Sequence, residues 1–320
     1  MSSTLVGDSG RVYARGQVLQ RHREDHALSI FKAQSGNDYF VLKRVPRQFY
    51  DLSMRFASEF QDSRRLRLHT DCNQEEGVLV FPYFRSTLLA LIQDGPELSI
   101  KERKKILRHV GEAIQELHGR DWIHIDVKPD NVLANWAYDA EGEKVVSDVA
   151  LGDFDLVFKS KNGASCYTPY AIGNAMWRSP EGQTGRAVTK ASDIYSFGLV
   201  GIYAMGGGDF LLLDGYQKLK DRGITPEQEI LTRHFSYFGP VPDALFIHVN
   251  DEDWSSALRG ASDIADEAVK EEPGLRFEQW GAELGPEALH MFSGMTNLDP
   301  KARFTIDQIL EHPFWSIDDT

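Results

Sequence analysis

The stretch from Ile194 to Met205 constrains this chain most, because apolar side chains cover nearly every face of the helix it would form. Such a helix is stable only when other elements surround it, so the C-terminal part of the chain is expected to build a core of packed helices. The run is about half as long as a bilayer crossing requires, which predicts a buried helix and not a membrane span. Ser99 and Glu102 make a capping-box pattern ahead of Ile106, Val110, Ala113, Ile114 and Leu117, which share one face, and Gly119 is placed to end that helix. Thr305 and Gln308 repeat the pattern and start a last helix that stops before Pro313.

The N-terminal part has a different period. Val12 to Leu19, Ala27 to Ala33 and Tyr39 to Val45 are short strand-like runs, with Ser35-Gly36-Asn37-Asp38 turning between the last two, and they predict an antiparallel meander. A helix is expected from about Phe49 to Leu68, where Leu52, Phe56, Phe60, Ser63 and Leu66 trace one face, and a further strand from Gly77 to Phe84. Trp122 to Ile125, Val132 to Ala134 and Val149 to Leu151 are expected as small strands with functional loops between them. The predicted fold class is α+β, one domain over residues 1–320 with a small antiparallel β N-lobe at about 11–84 and a larger, mainly α C-lobe at about 85–316.

Composition narrows the function. Acidic residues outnumber basic ones 48 to 35, a net charge of −13, which argues against general nucleic-acid binding. Such a surface would steer basic protein substrates toward the molecule, although solubility alone accounts for it. Cys72 and Cys166 are too few and too isolated for a disulfide framework or a zinc cage. The first ten residues have neither the basic nor the apolar region of a secretory signal, so an intracellular protein of the cytoplasm or nucleus, with no membrane attachment, is expected.

Two stretches carry the chemistry: His124-Ile125-Asp126-Val127-Lys128-Pro129-Asp130-Asn131, and then Gly152-Asp153-Phe154-Asp155. Phosphoryl transfer needs a carboxylate to orient the attacking hydroxyl, ligands for Mg²⁺, and a cation to offset charge on the transferring group. Asp126, Asn131 with Asp153, and Lys128 meet those needs in turn. The first stretch resembles the protein-kinase catalytic loop H-R-D-x-x-x-x-N and the second the D-F-G motif, with Ile125 and Asp155 replacing the arginine and the glycine. Phe40-Val41-Leu42-Lys43 resembles the V-A-I-K strand, whose lysine holds the α- and β-phosphates. Glu59 lies between Phe56 and Phe60, where an unpaired carboxylate is costly, so a Lys43 to Glu59 ion pair is expected, as in that family. Gly173 to Glu181 resembles the segment ending in A-P-E, and Asp193 and Arg303 fall where kinases carry a structural aspartate and a partner for the A-P-E glutamate. A buried Glu181 to Arg303 pair is therefore expected.

The resemblance spans roughly residues 11–316 and implies a eukaryotic-type protein kinase domain. Lys128, two residues after Asp126, is the Ser/Thr-type signature, and Trp177 to Gln183 is similar to a group of kinase-like proteins abundant in filamentous fungi. It implies ATP and Mg²⁺ as cofactors and a protein hydroxyl as acceptor. It also implies catalytic roles for Asp126, Lys128, Asn131 and Asp153, with Asn131 and Asp153 as metal ligands, and a nucleotide site formed by Val41, Lys43, Glu59, Phe81, Tyr83, Phe84 and Leu133. Where the family carries a glycine-rich phosphate loop, Gln20 to Ala27 contains no glycine, leaving the side chains of Arg21, His22 and Arg23 as candidates for phosphate contact. Ile125 removes the arginine that receives a phosphorylated activation-loop residue in many kinases. Two other readings stay open: a pseudokinase scaffold that binds nucleotide weakly, and a small-molecule phosphotransferase of the aminoglycoside-kinase kind. Lys128, Ser179-Pro180-Glu181 and Arg303 stand against the latter.

Overall fold

A computed structural model of the chain describes residues 3–316 except 23, 26, 27, 94–97, 162 and 214. Six strands form one antiparallel sheet in the order β1-β2-β3-β4-β6-β5: β1 (Thr4–Val6), β2 (Val12–Gln20), β3 (Ile30–Ser35), β4 (Asp38–Arg44), β5 (Asp71–Asn73) and β6 (Val78–Pro82). The expected meander is β2-β3-β4. Ala27, expected to open its middle strand, lies outside the described residues. Ser35 pairs with Asp38, so Gly36 and Asn37 make a two-residue hairpin turn, with Gly36 at the φ of 60° such a turn demands. Alternate residues Tyr13, Phe31, Ala33, Phe40, Leu42 and Val80 turn to one face and form the core of this lobe.

Helix α1 (Arg47–Glu59) is shorter than expected. After it, the Ser63 hydroxyl accepts from the amides of Arg65 (3.2 Å) and Leu66 (3.1 Å), a local turn that competes with helix. Phe60 and Leu66 are buried all the same, which is why their spacing imitated a continuing helical face.

Beyond β6 the chain passes through β7 (Ser86–Thr87) and α2 (Leu88–Gln93) to α3 (Ile100–Gly119). Ser99 caps α3 by accepting from Glu102 N at 3.3 Å. Glu102 does not complete a capping box, since its buried Oε2 accepts from Val146 N at 2.7 Å. Strands β8 (Trp122–Ile123), β9 (Val132–Tyr138), β10 (Lys144–Leu151) and β11 (Phe158–Lys159) follow, giving a sheet β10-β9-β7 and the pair β11-β8. Helix α4 (Pro180–Thr184) leads to α5 (Lys190–Ile202), in which every residue from Ser192 onward is buried. It ends at Ile202, where a π-helical turn, Tyr203–Gly207, takes over. The helix Pro286–Met295 crosses it so closely that a Cβ on Gly201 would lie 2.3 Å from Phe292. No helix among the described residues is long and apolar enough to cross a membrane.

Candidate active site

The loop after β8 is shaped by a buried carboxylate near the start of α5. Asp193 Oδ1 accepts from Ile125 N (2.8 Å), and Oδ2 accepts from His124 N (2.8 Å) and His118 Nε2 (3.0 Å). These bonds hold Ile125 at a φ of 71°, a left-handed conformation costly for a β-branched residue and sustained here by its surroundings. The next residue, Asp126, is buried beside Asn131, which lines the cleft between the lobes. Its Oδ2 accepts from Lys128 Nζ at 2.6 Å and from Asn131 Nδ2 at 3.3 Å, while Oδ1 accepts from Asn174 N at 2.9 Å. Asn131 Nδ2 also donates to Asp126 O at 2.8 Å, so its amide nitrogen is committed and its carbonyl oxygen is the atom left for a hard cation.

Opposite this cluster lies Asp153, also left-handed with a φ of 64°. The turn sends consecutive side chains opposite ways. Phe154 goes inward, its ring 4.5 Å from that of Phe56 on α1 and 5.2 Å from that of His124, tying both lobes together. Asp153 goes outward, where its Oδ1 accepts from Lys43 Nζ at 2.8 Å. Burial works to raise the Asp153 carboxyl, yet Lys43 outweighs it and holds the group below its ordinary range. Burial likewise works to lower Lys43, and the facing carboxylates of Asp153 and Asp155 turn the net shift upward.

The expected Lys43 to Glu59 pair does not form. Lys43 Nζ instead donates to Asp155 Oδ2 at 2.7 Å, in addition to Asp153. Glu59 is the last residue of α1, where its carboxylate accepts from Trp122 Nε1 at 2.9 Å and Lys159 Nζ at 2.6 Å. The helix faces the cleft roughly two to three turns earlier, with Phe49 and Ser53, while Leu52 packs into the core. Glu59 is satisfied, as a carboxylate among aromatic rings requires, but by different partners.

Of the expected nucleotide-site residues, Val41, Lys43, Phe81 and Leu133 line the cleft. Tyr83 and Phe84 line a neighbouring hollow; Tyr83 is turned outward, with its ring 6.3 Å from Tyr39 and the Lys32 ammonium 3.9 Å above it. A residue no motif had marked sits at the back of the cleft. Arg67 donates from Nε (3.0 Å) and Nη2 (2.9 Å) to the Pro82 carbonyl, and its guanidinium lies 5.2 Å from the Phe81 ring centre. Burial draws its pKa down to about 10, against the pull of Asp153.

At the mouth of the cleft, Gln20 and Ile30 pair across β2 and β3 and close the glycine-free loop. The loop is held by a side chain: His22 Nδ1 accepts from Glu24 N (3.3 Å) and Asp25 N (3.0 Å), and His22 N donates to Ser29 Oγ (3.1 Å). Arg23, His26 and Ala27 lie outside the described residues.

The segment after Asp153 is docked by apolar packing and backbone bonds. Ile125 packs in an apolar cluster with Ile123 and Val188, against Phe158, Cys166 and Ile172. Cys166 and Val188 exchange both backbone bonds (2.8 and 3.0 Å), and Thr168 N donates to Gly185 O at 2.8 Å. Gly185 has a φ of 67°, and a Cβ there would lie 2.1 Å from Tyr170 O, so only glycine fits. The expected ion pair is present and fully buried: Arg303 Nη1 and Nη2 donate to Glu181 Oε1 (2.5 Å) and Oε2 (2.9 Å).

A β lobe that presents a lysine to an Asp-Phe turn, above a helical lobe that carries an Asp-Lys-Asn cluster, is the arrangement of the two-lobed kinase fold. Residues 54–315 match the protein kinase domain family, and the chain belongs to it. Among curated relatives, the mitogen-activated protein kinase mpkA of Aspergillus fumigatus is 25% identical over 77% of this chain and 52% of its own length. The chain spans about half or less of the length of its first curated relatives. The solved yeast RNA Pol II CTD kinase CTDK-1 complex contains a chain that superposes with a TM-score of 0.71 at 16% identity, covering 95% of this chain and 98% of that one. A chain of the CAK complex of Chaetomium thermophilum, bound to ATP-γ-S, gives a TM-score of 0.63 at 20% identity, covering 96% and 92%. Those likenesses show the fold. The family match begins within α1, so Lys43 is placed by the fold and not by the match.

Proposed function

We propose that this chain is an ATP-dependent protein serine/threonine kinase. The observation that carries the reading is that Lys43, Asp153 and Asn131 line one cleft, with Asn131 and Lys128 both bonded to the Asp126 carboxylate. Asp126 orients the acceptor hydroxyl and takes its proton. Lys128, 2.6 Å from Asp126, offsets charge on the phosphoryl group as it passes. Lys43 binds the phosphates from the opposite wall. The residues fit Mg²⁺: the Asp153 carboxylate and the Asn131 carbonyl would hold it, with phosphate oxygens and water completing its shell. Among the described residues no group of three or more His, Cys, Asp or Glu side chains forms a cage of its own. When bound, the metal neutralises charge on the phosphates.

The acceptor class follows from the C-lobe. We read the segment at 164–188, docked by backbone bonds and supported by the buried Glu181 to Arg303 pair, as the place where a polypeptide would rest, which favours a protein acceptor over a small molecule. The two thiols, Cys72 and Cys166, are unpaired to each other, in keeping with an intracellular setting. Transfer of radiolabel from ATP to generic basic and acidic protein substrates tests the reading. Asp126→Ala should lower labelling at least ~100-fold, the scale of a lost general base. Equal labelling by both proteins, or none by the wild type, would leave a nucleotide-binding scaffold as the better description.

A further inference from the structure

Lys43 must stand at a fixed place on its wall of the cleft, and a lysine with four rotatable bonds does not hold a place unaided. The α1 helix supplies no anion for it: Phe49 and Ser53 face the cleft, the Ser53 hydroxyl lies 3.1 Å from His69 Nδ1, and Glu59 is engaged with Trp122 and Lys159. The only carboxylates within hydrogen-bond distance of Lys43 among the described residues are Asp153 and Asp155, at 2.8 and 2.7 Å. Asp153 is the residue proposed to hold the metal, so it cannot also be the lysine's permanent partner. Asp155 can.

We propose that Asp155 is the positioning residue of Lys43, a counter-ion supplied by the turn after Phe154 instead of by α1. The residue stands where a glycine would leave the lysine with Asp153 alone, and it lies beyond the inward-turned Phe154, which packs on Phe56 and His124 and so fixes the turn that carries it. The lysine is thus tethered to the element that bears the metal ligand, and the two move together. Ion-pair formation with Asp155 leaves Asp153 free to turn to the metal while Lys43 keeps its place. This rests on the kinase reading above and adds to it which residue sets the lysine.

The test is a set of variants assayed for phosphoryl transfer, for metal-free ADP binding by calorimetry, and for melting temperature. Asp155→Asn should lower kcat about tenfold or more, while ADP affinity stays the same or rises, because a carboxylate beside the phosphates has been removed. A residue that merely supports the fold would lower both together. In a Lys43→Met background, Asp155→Asn should have no further effect on kcat. Ser53→Glu, which puts a carboxylate on the cleft face of α1, should restore at least part of the activity lost in Asp155→Asn. A kcat within threefold of wild type in Asp155→Asn overturns the proposal and leaves the kinase reading intact, as does a joint loss of kcat, ADP affinity and melting temperature. A wild type that neither binds ADP nor transfers phosphate overturns both.

Discussion

Arg303 spends its whole guanidinium inside the protein, giving two bonds to Glu181, one to Asn297 O at 2.6 Å and one to Ala191 O at 3.0 Å. Removing it strands a buried carboxylate, so Arg303→Ala should cost on the order of 3 to 5 kcal/mol, read as a lowered melting temperature before any change in chemistry. An unshifted melt would mean the pair contributes nothing. This pair was legible in the sequence through the resemblance alone, since Glu181 and Arg303 fall where kinases carry such a pair. The partner of Lys43 was not legible. Glu59 had the right neighbours, Phe56 and Phe60, but a helix turns about 100° per residue, and which turn faces the cleft depends on packing that no local pattern encodes. Asp155 looked like a lost glycine, and only the fold shows it beside the lysine. Arg67 gave no signal at all, since it fell within the helix expected from Phe49 to Leu68, where a single arginine ordinarily reads as surface charge.

Two elements invite measurement. In the loop from Gln20 to Ile30, the imidazole of His22 does the organising, and residues bearing a Cβ cannot freely turn their amides onto phosphates. ATP should therefore bind weakly, with a KM near ~1 mM, the upper end of the usual range, and with measurable turnover at saturation. Micromolar affinity in a thermal-shift titration with Mg-ATP would show that this loop grips phosphate by another route. The activation segment is the second element. Ile125 cannot receive a phosphate, and its apolar cluster with Cys166, Ile172 and Val188 holds the segment through carbon. Phosphatase treatment should leave the rate within about threefold, under ~1 kcal/mol of barrier. A larger loss would reveal a cation elsewhere that reads phosphate on Ser160, Ser165, Tyr167, Thr168 or Tyr170. That the arginine was missing could be read directly; that an apolar cluster replaces it required the strands β8 and β11 and the Cys166 to Val188 bridge to bring the members together.

At the scale of the whole molecule, acid should be the weak side. Burial holds His234 neutral with a pKa lowered to about 3, and its Nδ1 meets no hydrogen-bond partner among the described residues. Because the unfolded histidine takes up a proton near 6.5 and the folded one resists, stability is full above that pH and declines as pH falls toward 3. Glu181, whose burial is outweighed by Arg303 so that its pKa falls to about 2, adds a second decline as pH falls from 4.5. The melting temperature should thus drop between about pH 7 and pH 5, and His234→Leu should flatten that drop. An unchanged slope in the variant would assign the loss to other groups. The two-lobed plan itself was plain from the strand-like runs up to Phe84 giving way to helical patterns beyond it, whereas β1 and β5, at three residues each, are too short to show a period. The carbon latch under the activation segment, Ile125 with Cys166, Ile172 and Val188, is a contact that salt does not screen, so raising ionic strength should leave it in place.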